Sequence, residues 1–350
     1  MALLFMEGFD QYLNHGDFHD SGKWDFIASD DTYNSITAEG EGYGGVGKAV
    51  FTSGSLASYG PVKSLDTTDD TLCLHFAMKY DSTSSTHGRF YIQEKSSNLT
   101  MFYLSQPAAG TMRLNNGDDT QIGTDVVIGV GVWFYVQLKI KFHDTTGTVL
   151  LKINGVEELN LTNVDTVDNS NTVPYVPGSF SLTQGSSSGA HNTYYDDIFI
   201  CDTLGTSNND LMGEVKVGAL FPDGDSSVQF SRLSGTTNYE MVNAPSNGLD
   251  TSYNYSTTAG HKDLFTFEDM PSSTGVLGVS IGVYGKKKDA GSRHLKLHCN
   301  TGANTNETAA FDQFGWEYRH IAYNFEFQTG TTDWTESAVN AIVAGYELDA

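Results

Sequence analysis

Apolar and polar residues alternate along most of the chain, in short segments that Gly, Asn, Asp, Ser and Thr residues separate. The clearest of these segments are TLCLHFAMKY, GRFYIQEK, LTMFYLSQ, WFYVQLKIKFH and TVLLKING. A period of two places every second side chain on one face of a strand, so each segment predicts a strand with one buried face. Many such strands at spacings of about 8–12 residues predict antiparallel β-sandwiches rather than a parallel α/β sheet.

Two stretches predict particular connections between strands. In WFYVQLKIKFHDTTGTVLLKINGVEEL, two alternating strands flank HDTTGT, and Asn154-Gly155 predicts a tight turn of the primed type before a third strand. In GVSIGVYGKKKDAGSRHLKLHCN, two strands flank a basic turn that contains Lys286, Lys287 and Lys288. Such a turn is either an ordinary solvated hairpin tip or a docking point for an acidic partner.

Helical signals are confined to one stretch near the C-terminal end, WTESAVNAIVAGYEL. Thr335 is placed to cap a helix there, and Ala338 and Ile342 would share one face of it. Gly345 follows as a natural stop. We therefore expect one short helix over residues 335–344, followed by a strand.

The main change along the chain falls near residue 203, where the strand-like YYDDIFICD gives way to the polar stretch TLGTSNND. A polar stretch of this kind is typical of a flexible connector, so we predict two domains, residues 1–202 and residues 203–350. The predicted fold class is all-β, with two tandem antiparallel β-sandwiches, the second of which carries the short C-terminal helix.

The composition agrees with a turn-rich β protein and narrows its function. The 350 residues include 37 Gly and 7 Pro, and 39% of them are hydrophobic, which is enough for packed cores. The formal net charge of −24 excludes a nucleic-acid binder, because phosphate contacts need clustered cations. No apolar run approaches the roughly 20 residues of a membrane span, so we expect no membrane insertion.

The three cysteines, Cys73, Cys201 and Cys299, form no CxxC motif and predict neither zinc binding nor dithiol chemistry.

Four ordered features of residues 1–202 resemble the concanavalin A-like and laminin G-like jelly-roll superfamily. They are GFDQY with Trp24, the Gly-rich GYGGVGKAVFTSGS, Trp133 with the Asn154-Gly155 hairpin, and the closing YYDDIFICD. The resemblance implies a jelly roll in which the first strand pairs with the last. It does not choose a function, because the superfamily contains glucanases, lectins and purely structural modules.

The carboxylates of the sequence are not arranged as a glucanase would need them. A retaining glucanase of this fold needs two carboxylates about 5 Å apart, usually from a Glu-x-Asp-x-(x)-Glu strand, and the sequence contains no such tract. Glu157-Glu158 and Asp196-Asp197 are neighbours in predicted strands, where adjacent side chains point to opposite faces. We therefore predict no catalytic residue and no enzymatic activity.

Aromatic and acidic residues supply the candidate binding sites. Tyr43, Tyr194 and Tyr195 are suited to stack on sugar rings, although tyrosine also fills sandwich cores with its hydroxyl at the edge. The candidate metal ligands are Asp196, Asp197, Asp223 and Asp225. Some laminin G-like domains carry calcium at a loop rim, so Ca²⁺ is the one cofactor that the resemblance implies. Two acids supply only part of the six to eight oxygens that calcium needs.

Two pairs of histidines spaced by four residues are expected to be structural or solvent-facing. His15 and His19 lie in a predicted Gly/Asp loop with no third ligand at hand. His294 and His298 share one face of a predicted strand, where they are about 13 Å apart and too distant to hold one metal ion.

Residues 203–350 resemble a stretch of tailed-bacteriophage virion proteins that follows a laminin G-like domain in the same order. The shared pattern runs from TSNNDLMGEVKVGALFPDGDSSVQF through GVLGVSIGVYGKKK to the tract between Trp334 and Leu348. The resemblance implies a structural and adhesive component of a virion, tail- or fibre-associated or capsid-decorating, that assembles in the host cytoplasm. The partners it implies are other virion proteins and further copies of the chain, arranged either as a homotrimer or on a symmetric scaffold.

Two other functions stay open from the sequence. The first is a carbohydrate-binding module that recognises a glycan on the host surface. The second, which the sequence favours less, is a glycan hydrolase, which requires carboxylates that converge to about 5–10 Å in a groove.

Overall fold

The chain forms two compact units. The computed structural model describes residues 2–19, 21–27, 34–53, 60–81, 89–171, 173–183, 192–243, 251–273, 275–288, 293–301, 304–307, 311–312, 319–325 and 332–349. The first unit comprises Met1–Asp10, Asn14–His19 and Trp24–Gly218, and the second comprises Gln11–Leu13, Asp20–Lys23 and Ala219–Ala350. The secondary structure is almost entirely antiparallel β-sheet, which confirms the predicted fold class. Among the described residues, no helix is long and apolar enough to cross a membrane.

The first unit is a sandwich of two large sheets. Its elements are β1 (Leu3–Glu7), α1 (His15–His19), β2 (Asn34–Ile36), β3 (Val50–Ser53), β4 (Val62–Ser64), β5 (Thr71–Tyr80), β6 (Arg89–Glu94), β7 (Thr100–Ser105), β8 (Thr111–Asn116), β9 (Gln121–Val127), β10 (Phe134–Lys141), β11 (Gly147–Ile153), β12 (Val156–Val164), β13 (Pro177–Thr183) and β14 (Asn192–Asp202). Sheet I has the order β12-β11-β10-β5-β14-β3-β2, with β1 paired to β14, and sheet II has the order β4-β13-β6-β7-β8-β9. The first strand thus pairs with the last, as the jelly-roll resemblance implies.

Aromatic side chains fill the space between sheets I and II. The ring of Phe76 in β5 stacks on Phe90 in β6 at 4.7 Å, and Phe90 stacks on Phe180 in β13 at 5.6 Å. Trp24 packs on the outer end of this stack, 5.4 Å from Phe180. The three phenylalanines are fully buried, so each strand that carries one of them has its inward face fixed.

The predicted meander is confirmed in sheet I. Strands β10, β11 and β12 follow one another as neighbours, and Asn154 and Gly155 form the turn between β11 and β12. Both turn residues have positive φ angles, 50° and 80°, which is the conformation of a primed turn. The Asn154 side chain also accepts a hydrogen bond from the backbone N–H of Tyr135, at 2.8 Å, and so ties the turn to β10.

The stretch after Asp202 packs within the first unit, and the division between the units falls after Gly218, later than residue 202. Burial lowers the pKa of His75 to about 4, so the ring is neutral and its Nε2 accepts the backbone N–H of Met212 at 3.1 Å. The hydroxyl of Tyr135 donates to the carbonyl oxygen of Val215 at 3.1 Å. Because its backbone groups bond to side chains of sheet I, this stretch is an anchored cover of that sheet and not a flexible connector.

The second unit is a smaller sandwich with a short helix, as the sequence predicts. Its elements are β15 (Pro222–Ser227), β16 (Ser231–Arg232), β17 (Asn254–Tyr255), β18 (Lys262–Phe267), β19 (Val279–Gly285), β20 (His294–Thr301), β21 (Asn304–Glu307), β22 (Phe311–Asp312), β23 (Arg319–Phe325), α2 (Glu336–Asn340) and β24 (Ile342–Asp349). Sheet III has the order β15-β18-β24-β20-β21, with β22 paired to β20, while β16-β17 and β19-β23 form separate pairs. Phe265, Leu297 and Tyr346 on one face of sheet III pack with Trp334 and Val339 to form its core.

The predicted hairpin around the basic turn differs from the observed strand pairing. The strands β19 and β20 do not form a hairpin, because β19 pairs with β23 whereas β20 pairs with β24, β21 and β22. Of the basic segment between them, Lys288 lies over the ring of Tyr253, with Nζ 4.8 Å from its centroid, and residues 289–292 lie outside the described residues.

The predicted C-terminal helix is confirmed at its start but is shorter than expected. Thr335 caps α2, since its side chain accepts the backbone N–H of Ala338 at 3.1 Å. The helix ends at Asn340, and Gly345 lies within β24 instead of ending a helix. A Cβ atom at Gly345 would lie 2.0 Å from the carbonyl oxygen of Asp263, so close strand packing explains the glycine.

Candidate functional site

A row of polar and aromatic side chains crosses five strands on the outer face of sheet II. In the strand register, Tyr91 of β6 lies between Ser181 of β13 and Tyr103 of β7. The row continues through Asn115 of β8 to Gln121 of β9. The residues on either side of Tyr91 and Tyr103 along their strands are buried in the core, so the alternation turns these two rings outward. We call these five residues the polar row.

Hydrogen bonds and ring contacts hold the centre of the polar row in place. The rings of Tyr91 and Tyr103 are 5.5 Å apart and inclined by 38°. The hydroxyl of Tyr103 donates to Oδ1 of Asp119 at 2.5 Å, and Nδ2 of Asn115 donates to Oγ of Ser105 at 2.9 Å. Tyr103 and Asn115 are only 5% and 4% exposed, so their polar atoms are already oriented before any ligand arrives.

An ion pair stands at one end of the polar row. Arg113 donates from Nε to Oδ1 of Asp125 at 2.7 Å and from Nη2 to Oδ2 at 2.9 Å. These hydrogen bonds from Arg113 hold the pKa of Asp125 below its usual range. Gln121 also donates to Oδ1 of Asp125, at 3.1 Å. The two charges neutralise each other, so the face presents mainly neutral hydrogen-bonding groups beside its two rings.

This arrangement has the chemistry that a sugar requires. Hydroxyl, phenol and amide groups offer both donors and acceptors to a ligand rich in hydroxyl groups. The partly exposed ring of Tyr91, which packs on the buried ring of Tyr103, offers an apolar surface to the C–H face of a pyranose. The polar row is therefore the candidate functional site of the first unit.

The structure brings together two of the three tyrosines that the sequence proposes as ligand-binding residues. They lie on the outer face of sheet I, where Phe51, Tyr194 and Lys79 occupy one cross-strand row. Tyr194 is 6.2 Å from Trp133, and Trp133 is 6.0 Å from Tyr43. Nζ of Lys79 lies 4.0 Å and 5.0 Å from the ring centroids of Tyr194 and Trp133, so a lysine of the chain itself already occupies these aromatic faces.

The third tyrosine, Tyr195, is not a surface residue, and its prediction as a ligand-binding residue is contradicted. It is fully buried on the inward face of β14, and burial raises its pKa well above the ordinary value. Adjacent residues of a strand point to opposite faces, so Tyr194 and Tyr195 cannot serve one binding surface.

The expectation that Asp196 and Asp197 point to opposite faces is wrong. The pairing of β14 with β5 shifts register between Asp196 and Phe199, and Asp197 has a positive φ angle of 50°, so a β-bulge interrupts the alternation here. Oδ2 of Asp196 accepts the backbone N–H of Tyr43 at 2.7 Å, and Oδ1 of Asp197 accepts that of Val217 at 2.7 Å. Burial raises the pKa of both carboxyls, and the charge of Asp197 raises that of Asp196 further.

The Gly-rich segment after β2 makes this burial feasible. A Cβ atom at Gly42 would lie 2.3 Å from the carbonyl oxygen of Val46 and 2.8 Å from Oδ2 of Asp196. Only a glycine permits this approach of the backbone to the carboxylate. A cation held by these acids would offset their charge, so Ca²⁺ at this place stays a prediction.

The second pair of predicted metal ligands, Asp223 and Asp225, lies in the second unit and makes other contacts. Asp223 accepts the hydroxyl of Thr266 at 2.6 Å. Asp225 accepts the backbone N–H groups of Asn238 and Tyr239, at 2.9 Å and 2.7 Å, at the start of a short 3-10 helix. In the described part of the chain, neither aspartate pair belongs to a group of three convergent metal-ligating side chains.

Sequence reasoning missed the polar row, although a signal for it was present. In GRFYIQEK and LTMFYLSQ, Tyr91 and Tyr103 stand at the outward positions of strands whose inward positions are strongly apolar. An aromatic residue on the polar face of a strand can pack on a cross-strand neighbour or bind a ligand. The pairing of the two strands, which places the rings side by side, was not available from the sequence.

Domains of carbohydrate-active enzymes are among the solved structures that are similar to part of this chain. A GH131 β-glucanase catalytic domain from Podospora anserina matches with 14% identity and a TM-score of 0.37, over 56% of this chain and 95% of the other. An alginate lyase in complex with alginate trisaccharide matches with 14% identity and a TM-score of 0.38, over 57% and 97%. A sialidase matches with 7% identity and a TM-score of 0.40, over 57% of this chain but only 18% of the sialidase. No family model and no curated protein sequence matches the chain.

These TM-scores lie below 0.5, so the function has to be argued from the geometry of the chain itself. The matches do, however, correct one prediction. The prediction that the chain is not an enzyme is contradicted, because the catalytic domain of a glycoside hydrolase and an alginate lyase are among the structures that align with it. A non-enzymatic role is therefore not retained.

The buried pair in the bulge predicts an unusual dependence of stability on pH. The pKa of Asp197 is higher in the folded than in the unfolded chain, so folding binds protons and stability falls as the pH rises above the usual value of 3.8. Asp197→Asn removes this charge but keeps the acceptor for Val217. In EDTA, we expect this variant to be about 2 kcal/mol more stable than the wild type near pH 8, with little difference near pH 4.

Urea unfolding at the two pH values measures this difference. Asp125→Asn is the matched control, because that carboxyl has a lowered pKa and lies at the surface, so its loss gives no gain at high pH. Destabilisation by Asp197→Asn at both pH values would show that the site requires a charged carboxylate.

Proposed function

We propose that the first unit binds a glycan chain along the outer face of sheet II. The observation that carries the proposal is the polar row, in which Ser181, Tyr91, Tyr103, Asn115 and Gln121 stand side by side across five strands. The row runs across strands that neighbour one another at about 4.8 Å, and its two members with exposed surface, Tyr91 and Gln121, are three strands apart, which is about 14 Å. That length suits several consecutive sugar units rather than a single monosaccharide.

The charges of the molecule favour a neutral glycan. The chain carries a net charge of −24, which repels a polyanionic polysaccharide at long range. On the face itself, Arg113 is bound in a bidentate pair with Asp125 and is already neutralised. The groups with exposed surface along the row are the phenol of Tyr91 and the amide of Gln121, and the carboxylate of Asp119 beside them would also repel an anionic ligand.

Substitution of one ring tests the binding proposal. We expect Tyr91→Ala to weaken binding to neutral oligosaccharides by about tenfold, equivalent to about 1.4 kcal/mol, because the variant loses a stacking surface. A glycan array identifies the oligosaccharide, and isothermal titration then measures the dissociation constant for each variant. Tyr194→Ala is the matched control, since Tyr194 is a half-buried tyrosine on the outer face of the other sheet. Equal loss in both variants, or loss only in the control, would refute the assignment to sheet II.

A second candidate function is cleavage of the bound glycan, and one contact favours it. The hydroxyl of Tyr103 donates to the exposed carboxylate of Asp119 at 2.5 Å, in the centre of the polar row. A phenol that is bonded to a carboxylate can give its proton to the leaving oxygen while a water molecule attacks the anomeric carbon, and the proton that this water loses can return to the phenolate through the carboxylate. The pair thus offers acid–base chemistry that does not depend on two convergent carboxylates.

Release of new reducing ends from the oligosaccharide that binds checks this second function. We expect Tyr103→Phe to lower the rate about 100-fold while binding changes little, because the ring remains and only the transferable proton is lost. Asp119→Asn is expected to lower the rate as well, since the amide cannot accept the proton of the attacking water. If the wild-type protein releases no reducing ends from any bound glycan, the first unit only binds.

The placement of the protein in a tailed-phage virion is a further proposal, and the sequence resemblance of residues 203–350 is what supports it. A glycan-recognising face would serve a particle that must attach to a host surface. Mass spectrometry of purified particles checks this proposal, with the chain expected in several copies together with other virion proteins. Particles that assemble without the chain would refute it.

A further inference from the structure

Three side chains with metal-ligating atoms converge on the polar face of sheet III, in the second unit. His298 of β20 is the direct cross-strand partner of Glu307 of β21. On its other side, His298 pairs with Gly345 of β24. Glu347 lies two residues beyond Gly345 on that strand, so the side chains of Glu347 and His298 lie on the same face of the sheet. The ligand atoms of the three side chains all lie within 4.8 Å of one another.

The distances within this cluster suit one small cation. Nε2 of His298 lies 3.1 Å from Oε2 of Glu347 and 3.8 Å from Oε1 of Glu307. Two ligands that each lie about 2.1 Å from a tetrahedral zinc ion are about 3.4 Å apart, which falls between the two observed distances. The two distances from His298 thus differ from the zinc geometry by only a few tenths of an ångström.

The state of His298 is a separate observation that points to a ligand. The residue is 2% exposed, and neither of its ring nitrogens makes a hydrogen bond, although Nε2 lies close to Glu347. Buried polar atoms are nearly always satisfied, and an unsatisfied one destabilises the fold by about 1–3 kcal/mol. Coordination of a metal ion by Nε2, the nitrogen that lies beside the two carboxylates, would satisfy that atom.

Two lysines beside the cluster provide the competing explanation, an ion-pair network without a metal. Nζ of Lys262 lies 2.8 Å from Oε2 of Glu347, and Nζ of Lys296 lies 3.4 Å from Oδ1 of Asp349 and 3.8 Å from Oε1 of Glu307. Three carboxylates thus face two ammonium groups, which leaves one negative charge in excess. The lysines also leave the imidazole of His298 unsatisfied, since a lysine cannot accept a hydrogen bond and repels a protonated ring.

We propose that His298, Glu307 and Glu347 form a binding site for a divalent transition-metal ion, with Zn²⁺ as the best match. An imidazole and two carboxylates form a ligand set that suits zinc and its neighbours in the first transition series. Calcium does not fit, because it requires six to eight oxygen ligands. The site lies in the second unit and is independent of the glycan-binding face.

Titration of the full-length chain with zinc alone, after treatment with EDTA and dialysis, tests this site. We expect one zinc ion per chain, an affinity reduced at least tenfold by Glu307→Gln, and no measurable binding at this site in His298→Gln. Glu307 is half exposed, so its substitution leaves the fold intact, and circular dichroism verifies this for each variant. His294→Gln is the matched control, because it removes a histidine four residues earlier on the same strand.

A second readout separates coordination from general electrostatics. With Co²⁺ in place of zinc, the wild type and the His294→Gln control should show the visible absorption bands of a tetrahedral complex, and the two site variants should lose them. Zinc binding that is absent from the wild type would overturn the proposal. Binding that is unchanged in both site variants would overturn it as well, since the ion would then lie elsewhere.

Discussion

The stack of Phe76, Phe90 and Phe180 between sheets I and II is the constraint on which the rest of the first unit depends. Each ring fixes the inward face of its strand, and a strand alternates with a period of two. The position of every outward side chain follows from this. Because Phe90 is buried, Tyr91 must point away from the core, and because Tyr195 is buried, Tyr194 must do so on the opposite sheet. A slip of one residue in any of these strands would exchange core and surface entirely.

Among the described residues, the outer face of sheet I carries a cover that the chain itself forms. The stretch after Asp202 lies on sheet I through its bonds to His75 and Tyr135. The remaining aromatic surface of that sheet is occupied by Lys79. On sheet II, the polar row keeps its hydroxyl, phenol and amide groups in one line. The fold thus leaves one face suited to a hydroxyl-rich ligand, and this difference could not be derived from the composition of the individual strands.

In the second unit, the same alternation of inward and outward side chains places metal-ligating residues on one face of sheet III. Leu297 lies in the apolar core of sheet III, so its neighbour His298 lies on the polar face. Strand pairing then brings to His298 two carboxylates from other strands, Glu307 of β21 and Glu347 of β24. His294 and His298, four residues apart on β20, are too distant from each other to share an ion. The ligands that matter lie across the strands and not along one.

Local residue patterns determined much of the fold. The primed turn at Asn154-Gly155 and the capping of the C-terminal helix by Thr335 depend on a few adjacent residues, and the alternating segments show which side chains are apolar. Tertiary structure decided everything that depends on which strands pair and in what register. The bulge at Asp197, the pairing of β19 with β23, and the polar row all arise from contacts between distant segments. A strand sequence specifies its two faces but not its neighbours, since backbone hydrogen bonds between strands are the same for any residue.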